Sequence, residues 1–253
     1  MTAQPHCARV NGVCNRCDTP VPFAFTMAFQ PIVDVTQRQV VYYEALVRGI
    51  NGESAFSILS QVTDELMYRF DQACRVKAIE LASELGMTER LSINFLPNAV
   101  YEPEACIQST LETSRRVGWP TERLNFEITE TERVVDRAHM RSIIDSYRRM
   151  GFTTSLDDFG NGYANLDLLT DLRPDTLKID RELVMECDSR RQAILKSMVA
   201  LARTLGTQLV AEGVETREES RCLLALGIAV QQGYYFARPE VGKLPTVALE
   251  KYD

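Results

Sequence analysis

From Pro22 onward, short β-branched runs alternate with longer amphipathic ones, and the period of the apolar positions decides which element each run forms. The pattern predicts strands over Thr26 to Asp34, Gln39 to Arg48, Leu91 to Phe95, Arg123 to Ile128, Phe152 to Asp157, Thr176 to Asp180, Gln208 to Glu212 and Ile228 to Gln232. Helix-length segments lie between most of them: Tyr68 to Leu85, Glu104 to Val117, Ala138 to Met150, Arg190 to Leu205 and Arg217 to Leu226. A glycine follows each of these five at once (Gly86, Gly118, Gly151, Gly206, Gly227), the residue that lets a helix end in a left-handed turn.

Strand, helix, glycine, strand, repeated to about eight strands, is an α/β pattern that favours a closed (β/α)8 TIM-like barrel over an open doubly wound sheet. The first two strands are joined only by Thr36 to Arg38, too short for a parallel crossover of a dozen or more residues. They should form a hairpin, which leaves one antiparallel strand near the N-terminus of the barrel.

Catalytic groups of such barrels sit at the carboxyl ends of the strands. There the sequence places Glu44, Asn94, Glu127, the pair Asp157 and Asp158, Lys178, Glu212 and Gln232, each among apolar neighbours. Carboxylates in apolar strands are costly unless paired or ligated. Singly, each reads equally well as a structural hydrogen bond or a solvated strand end. Together, without enough Lys or Arg on the same strands to neutralise them, they describe a site for hard divalent cations with oxygen ligands. Two ions roughly 3.5 to 4 Å apart would clamp an in-line phosphoryl displacement. Asp158-Phe159-Gly160 also spells a kinase triplet, but no Gly-rich phosphate loop and no His-Arg-Asp segment accompany it, so the kinase reading fails on context.

Composition narrows the choice. With 45% apolar and 25% charged residues over 253 positions, the chain buries a real core and is not disordered. The 35 acidic against 28 basic residues, a formal charge of −7, repel polyanions at long range, which excludes nucleic-acid polymers and anionic membrane surfaces as partners. Only His6 and His139 are present, so acid–base and metal chemistry must rest on carboxylates, amides, Lys or Cys. No apolar run approaches the roughly 18 to 20 residues of a membrane span. The polar start, with Arg9, Asn11 and Arg16, lacks a signal peptide's apolar segment, so a cytoplasmic location is expected.

The strand-end residues also carry a family resemblance. Glu44-Ala45-Leu46 with Arg48 resembles the signature of the EAL family of cyclic di-GMP phosphodiesterases. The likeness continues through Gln30-Pro31-Ile32, Ile93-Asn94-Phe95, Glu127-Ile128-Thr129-Glu130, Asp157-Asp158-Phe159-Gly160 with Gly162-Tyr163, Lys178-Ile179-Asp180, Ala211-Glu212-Gly213-Val214-Glu215-Thr216 and Gln232-Gly233-Tyr234, in the family's order from about Phe25 to Pro239. The wording around Gln30 and Glu44 is similar to the subgroup found with blue-light sensor domains, although no such domain is present in these residues.

The resemblance implies a barrel with one antiparallel strand, often a homodimer, that hydrolyses cyclic di-GMP to linear pGpG with two Mg2+ or Mn2+ ions per active site. It implies that Glu44, Asn94, Glu127 and Asp157 hold the first metal, with Asp157 bridging to a second shared with Asp158. Lys178 would orient the attacking hydroxide, and Glu212 would be the general base. Gln30, Leu46, Arg48, Glu215 and Gln232 would serve substrate binding, and Glu130 would anchor the loop that links the site to the dimer contact. That loop departs from the family wording at Asn161, Ala164 and Asn165, and Gly49 replaces a Trp, so altered regulation is expected. Two other readings share parts of this pattern: a non-hydrolysing cyclic di-GMP receptor acting through a protein partner, and a metal-dependent enolising lyase. The receptor class usually lacks one or more ligand carboxylates, and none is missing here; the lyase would not need the whole ordered motif set.

Residues 1–21 read as a Cys-rich extension and residues 22–253 as the phosphodiesterase domain. His6, Cys7, Cys14 and Cys17 offer four soft ligands with C-x-x-C spacing, suited to one Zn2+; incidental thiols in a disordered tail are the alternative. Cys74, Cys106, Cys187 and Cys222 are far apart in partly apolar surroundings, where small buried thiols are expected.

Overall fold

The structure is a computed structural model and describes residues 20–96, 100, 102–129, 137–160 and 166–248. The hairpin is present: β1 (Thr26–Asp34) pairs antiparallel with β2 (Gln39–Arg48) from Thr26 opposite Arg48 to Asp34 opposite Gln39. From β2 the sheet continues in parallel through β3 (Arg90–Phe95), β4 (Leu124–Thr129), β5 (Thr153–Phe159), β6 (Thr176–Ile179), β7 (Gln208–Ala211) and β8 (Val230–Gln232). β8 pairs antiparallel with β1, so eight strands close a ring. A two-residue strand, β9 (Glu240–Val241), adds to β1 outside it.

Helices α1 (Ala55–Leu59), α2 (Met67–Glu84), α3 (Pro103–Cys106), α4 (Gln108–Val117), α5 (Arg137–Arg149), α6 (Leu166–Leu172), α7 (Arg181–Val184), α8 (Ser189–Leu205) and α9 (Arg217–Ala225) cover the outside. The single helix expected over Glu104 to Val117 divides at Ile107, a fully buried residue that closes α3 and opens α4. All five glycines expected after helices have positive φ, from 68° to 92°. Gly118 and Gly206 are themselves the left-handed caps of α4 and α8.

The sheet separates two kinds of interior. Outside the ring, Phe95 of β3, Phe126 of β4, Tyr147 of α5 and Phe152 just before β5 pack ring against ring, with centroids 5.1 to 5.8 Å apart; each such buried side chain contributes roughly 1.5 to 3 kcal/mol. α2 is tied to the end of β3 by Asp71, which accepts from the Leu96 amide at 3.1 Å while pairing with buried Arg75. Inside the ring, Ile32, Tyr42, Val210 and Val230 form an apolar plug. Nearby lies a polar floor, where the Asn125 amide donates to Ser92 Oγ at 2.6 Å and Ser155 Oγ at 2.7 Å.

Cys74 and Cys106 are buried free thiols, as expected. The expectation for Cys187 and Cys222 is corrected: they form a disulfide across 35 residues of sequence. Both are half-buried at the surface, and their Cα atoms lie 6.6 Å apart, within disulfide reach. His6, Cys7, Cys14, Cys17, Glu130 and residues 161–165 lie outside the described residues. Among the described residues no helix is long and apolar enough to cross a membrane.

Candidate metal centre and its pocket

Strand pleating brings the expected residues to one mouth of the ring. Side chains on a strand alternate between faces, so Glu44 of β2, Asn94 of β3, Glu127 of β4, Asp157 of β5 and Lys178 of β6 point inward together. Two consecutive aspartates cannot both do so on a regular strand. The β5–β6 register shifts between Leu156 and Phe159, and Asp158 takes φ = 54°, a left-handed conformation that Asp tolerates better than most residues. A bulge of this kind re-aims a side chain. Here carboxylate oxygens of Asp157, Asp158 and Glu212 all come within 4.8 Å of one another, an arrangement that could hold a cation.

Lys178 stands at the centre. Its Nζ lies 2.7 Å from Glu127, 2.8 Å from Glu212, 2.9 Å from Asp157 and 3.7 Å from Glu44. The surroundings hold each carboxylate in place. Glu44 accepts from the amides of Asn94 at 2.9 Å and Gln232 at 2.6 Å, and Glu127 accepts from the Ser92 hydroxyl. Gln232 also donates to Gln30 Oε1 at 3.2 Å, and Gln30 in turn donates to the Ala237 carbonyl. With its nitrogen turned to Glu44, Asn94 keeps its amide oxygen as a possible ligand.

Among the described residues one ammonium faces five carboxylates: Glu44, Glu127, Asp157, Asp158 and Glu212. Burial, opposed by Lys178 and assisted by Glu44 and Asp157, pushes Glu127 up to about 8. Burial and then Asp157 raise Asp158 to about 6, and burial holds Glu212 well above the usual carboxylate range. Burial would lower Lys178, yet the carboxylates, Asp157 foremost, more than offset it and keep its proton firmly bound. The ring is therefore short of positive charge, and hard oxygen donors short of positive charge fit Mg2+ or Mn2+.

These shifts set a pH dependence. Asp158 and Glu127 bind protons more tightly folded than unfolded, so between about pH 4 and 8 the unfolded state holds fewer protons and stability falls as pH rises. In EDTA, thermal unfolding should show decreasing stability across that window, and saturating Mn2+ should flatten the decline. A metal-free protein gaining stability from pH 5 to 8 would contradict the charge balance.

Above the ring opens a cavity of about 280 Å3 lined by Gln30, Glu44, Leu46, Glu212, Glu215 and Gln232, and also by Arg181 and Tyr234. The last two escape the strand-end rule. Arg181 opens α7, three residues past Lys178, and its guanidinium meets the Gly213 carbonyl and, at 3.0 Å, Glu215. Tyr234 is half-exposed beneath Arg238, whose guanidinium lies 4.1 Å from the ring centroid. Arg48 instead donates to the Val47 carbonyl at 2.7 Å and is not on this lining. A Cβ on Gly233 would lie 2.0 Å from the Val214 carbonyl oxygen, so only glycine lets the end of β8 pack on the segment between Glu212 and Glu215.

The EAL domain family matches residues 24–239. The cyclic di-GMP phosphodiesterase RocR of Pseudomonas aeruginosa is 36% identical over 227 residues, covering 85% of this chain and 57% of that protein. Among solved structures, a standalone versatile EAL protein from Vibrio cholerae O395 in its c-di-GMP bound form superposes with a TM-score of 0.88 at 48% identity, over 91% of this chain and 99% of that one. Klebsiella pneumoniae BlrP1 in a manganese/cy-diGMP complex gives 0.84 at 34% identity, over 90% of this chain and 59% of that one. The chain spans from less than a third to little more than half of the length of the curated relatives it matches.

Proposed function

The chain belongs to the EAL domain family, and from that premise we propose that it is a metal-dependent phosphodiesterase that hydrolyses cyclic di-GMP to linear pGpG. The observation that carries this is the overcharged ring: Lys178 in contact with four carboxylates, beside Asp157, Asp158 and Glu212 oxygens within 4.8 Å of one another. The phosphodiesterase name of RocR and the manganese and cyclic dinucleotide in the BlrP1 complex support the same reading.

Glu44, Asn94, Glu127 and Asp157 would hold one divalent cation, and Asp157 with Asp158 a second. When bound, these ions supply Lewis acidity to the phosphoryl group and acidify water. Glu212 is the base that takes the proton of the attacking water, burial raising its proton affinity above that of an ordinary carboxylate. Lys178, 2.8 Å from Glu212, keeps a fixed positive charge beside the position where negative charge develops. Gln30, Leu46, Glu215 and Gln232, which line the cavity, would hold the substrate, with Gln232 orienting Glu44 through its amide; Arg48 would join them by turning from the Val47 carbonyl.

The test is incubation of cyclic di-GMP with the protein and Mg2+ or Mn2+, followed by chromatography. Linear pGpG is expected with metal, and none with EDTA. Cyclic di-GMP binding without turnover in either metal would sink the proposal and favour a receptor that acts through a protein partner.

A further inference from the structure

We propose that Cys187 and Cys222 are a thiol–disulfide exchange site whose oxidation state sets the affinity of the metal centre. The inference rests on the metal-centre reading above. Two segments are clasped together at the rim. One follows Lys178 and runs through α7 to Cys187; the other carries Glu212 and Glu215 and continues into α9, which bears Cys222. Arg181 forms the first clasp, through the Gly213 carbonyl and the Glu215 carboxylate. The disulfide forms the second.

The second clasp reaches the site along a short path. Cys222 lies three residues beyond Glu219 in α9. The Glu219 carboxylate accepts from the Glu215 amide at 2.8 Å and the Thr216 amide at 3.0 Å, while Thr216 Oγ1 caps the Glu219 amide. Fixing Cys222 thus fixes the first turn of α9 and the backbone of Glu215, two residues from Gly213. Glu186 and Cys187 both have positive φ, 62° and 37°, in a loop that α8 anchors through Gln192 to the Cys187 carbonyl at 2.8 Å. Neither conformation is favoured by these residue types, so the bond and its neighbours hold the loop in place. Both cysteines are half-buried at the surface rather than in the core. Disulfides in reducing compartments are characteristically transient and redox-sensing.

The chemical partner is a dithiol. One donor thiolate attacks one sulfur of the pair, the Cys187–Cys222 bond breaks, and the displaced thiolate takes a proton. The donor's second thiolate then releases the other cysteine from the mixed disulfide. Two electrons pass to the pair, and the donor closes its own disulfide.

The experiment compares the parent with a Cys187→Ser/Cys222→Ser variant. Each is oxidised with glutathione disulfide or reduced with dithiothreitol, then freed of reagent under anaerobic conditions. In the oxidised parent, peptide mapping should recover Cys187 linked to Cys222. Reduction should speed amide hydrogen exchange over residues 212–222 and weaken Mn2+ binding, read by calorimetry, by roughly 3- to 10-fold. The variant should show the reduced values in both conditions, which separates this pair from the other five cysteines. Absence of the linked peptide, unchanged exchange and Mn2+ affinity in the parent, or an equal response in the variant overturns the proposal. Failure of Mn2+ to bind either form defeats the metal-centre reading, while exchange still reports whether the clasp exists.

Discussion

Asp157→Ala should lower turnover of cyclic di-GMP on the order of 10^4-fold, as removal of a group shared by the whole reacting centre does. Its effect on stability should have the opposite sense. Asp157 is one of the charges that raise Glu127 and Asp158, while Lys178 retains Glu127 and Glu212 as partners. In EDTA the variant should therefore unfold at or above the parent's temperature. Saturating Mn2+, which at 100 times its Kd adds about 2.7 kcal/mol to a protein that binds it only when folded, should stabilise the parent and leave the variant unmoved. Thermal unfolding with and without Mn2+ checks this. A variant that unfolds early in EDTA would make Asp157 a structural residue, and near-native turnover would remove it from the site.

Lys178→Met reverses the pattern. Deleting this ammonium removes the cation that Glu127, Asp157 and Glu212 share, and breaking a buried pair in this way costs about 3 to 5 kcal/mol. The metal-free variant should be strongly destabilised at neutral pH and recover on acidification, because protonation of the carboxylates then replaces the missing charge. Mn2+ should bind at least as tightly as in the parent, since the competing cation is gone, yet turnover should drop roughly 10^2- to 10^3-fold, the usual effect of losing one electrostatic stabiliser. Calorimetry and the pGpG assay separate the two effects. Loss of Mn2+ binding would mean that Lys178 builds the centre rather than serving the reaction.

The barrel was legible because its signals are local. Apolar period, the five glycines after helices and the short Thr36 to Arg38 turn each act within a few residues, and all reappear in the structure. The ring was legible because a carboxylate in an apolar strand is conspicuous wherever the strand goes. What the sequence hid depends on pairing across the chain. The bulge that turns both Asp157 and Asp158 inward is a register shift between β5 and β6. Lys178 looked like one residue among several until three strands and the residue after β7 brought their carboxylates to its nitrogen. Ser92, Asn125 and Ser155 are too small and common to stand out, though their strand positions place them beneath Glu127. The Cys187–Cys222 bond joins residues whose flanking sequence gives no hint of proximity.

The reversed direction of β1 has a mechanical meaning. In a barrel of uniformly parallel strands the chain enters at the face away from the catalytic mouth. Here Thr26, the first residue of β1, lies opposite Arg48 at the carboxyl end of β2, so the polypeptide enters at the rim. Four residues further on, Gln30 faces Glu44 across the hairpin and accepts from Gln232. The join between the first and last strands of the ring thus runs through the site, and a pull or twist on the residues leading into β1 is delivered as a lever at the mouth, within one strand length of Glu44.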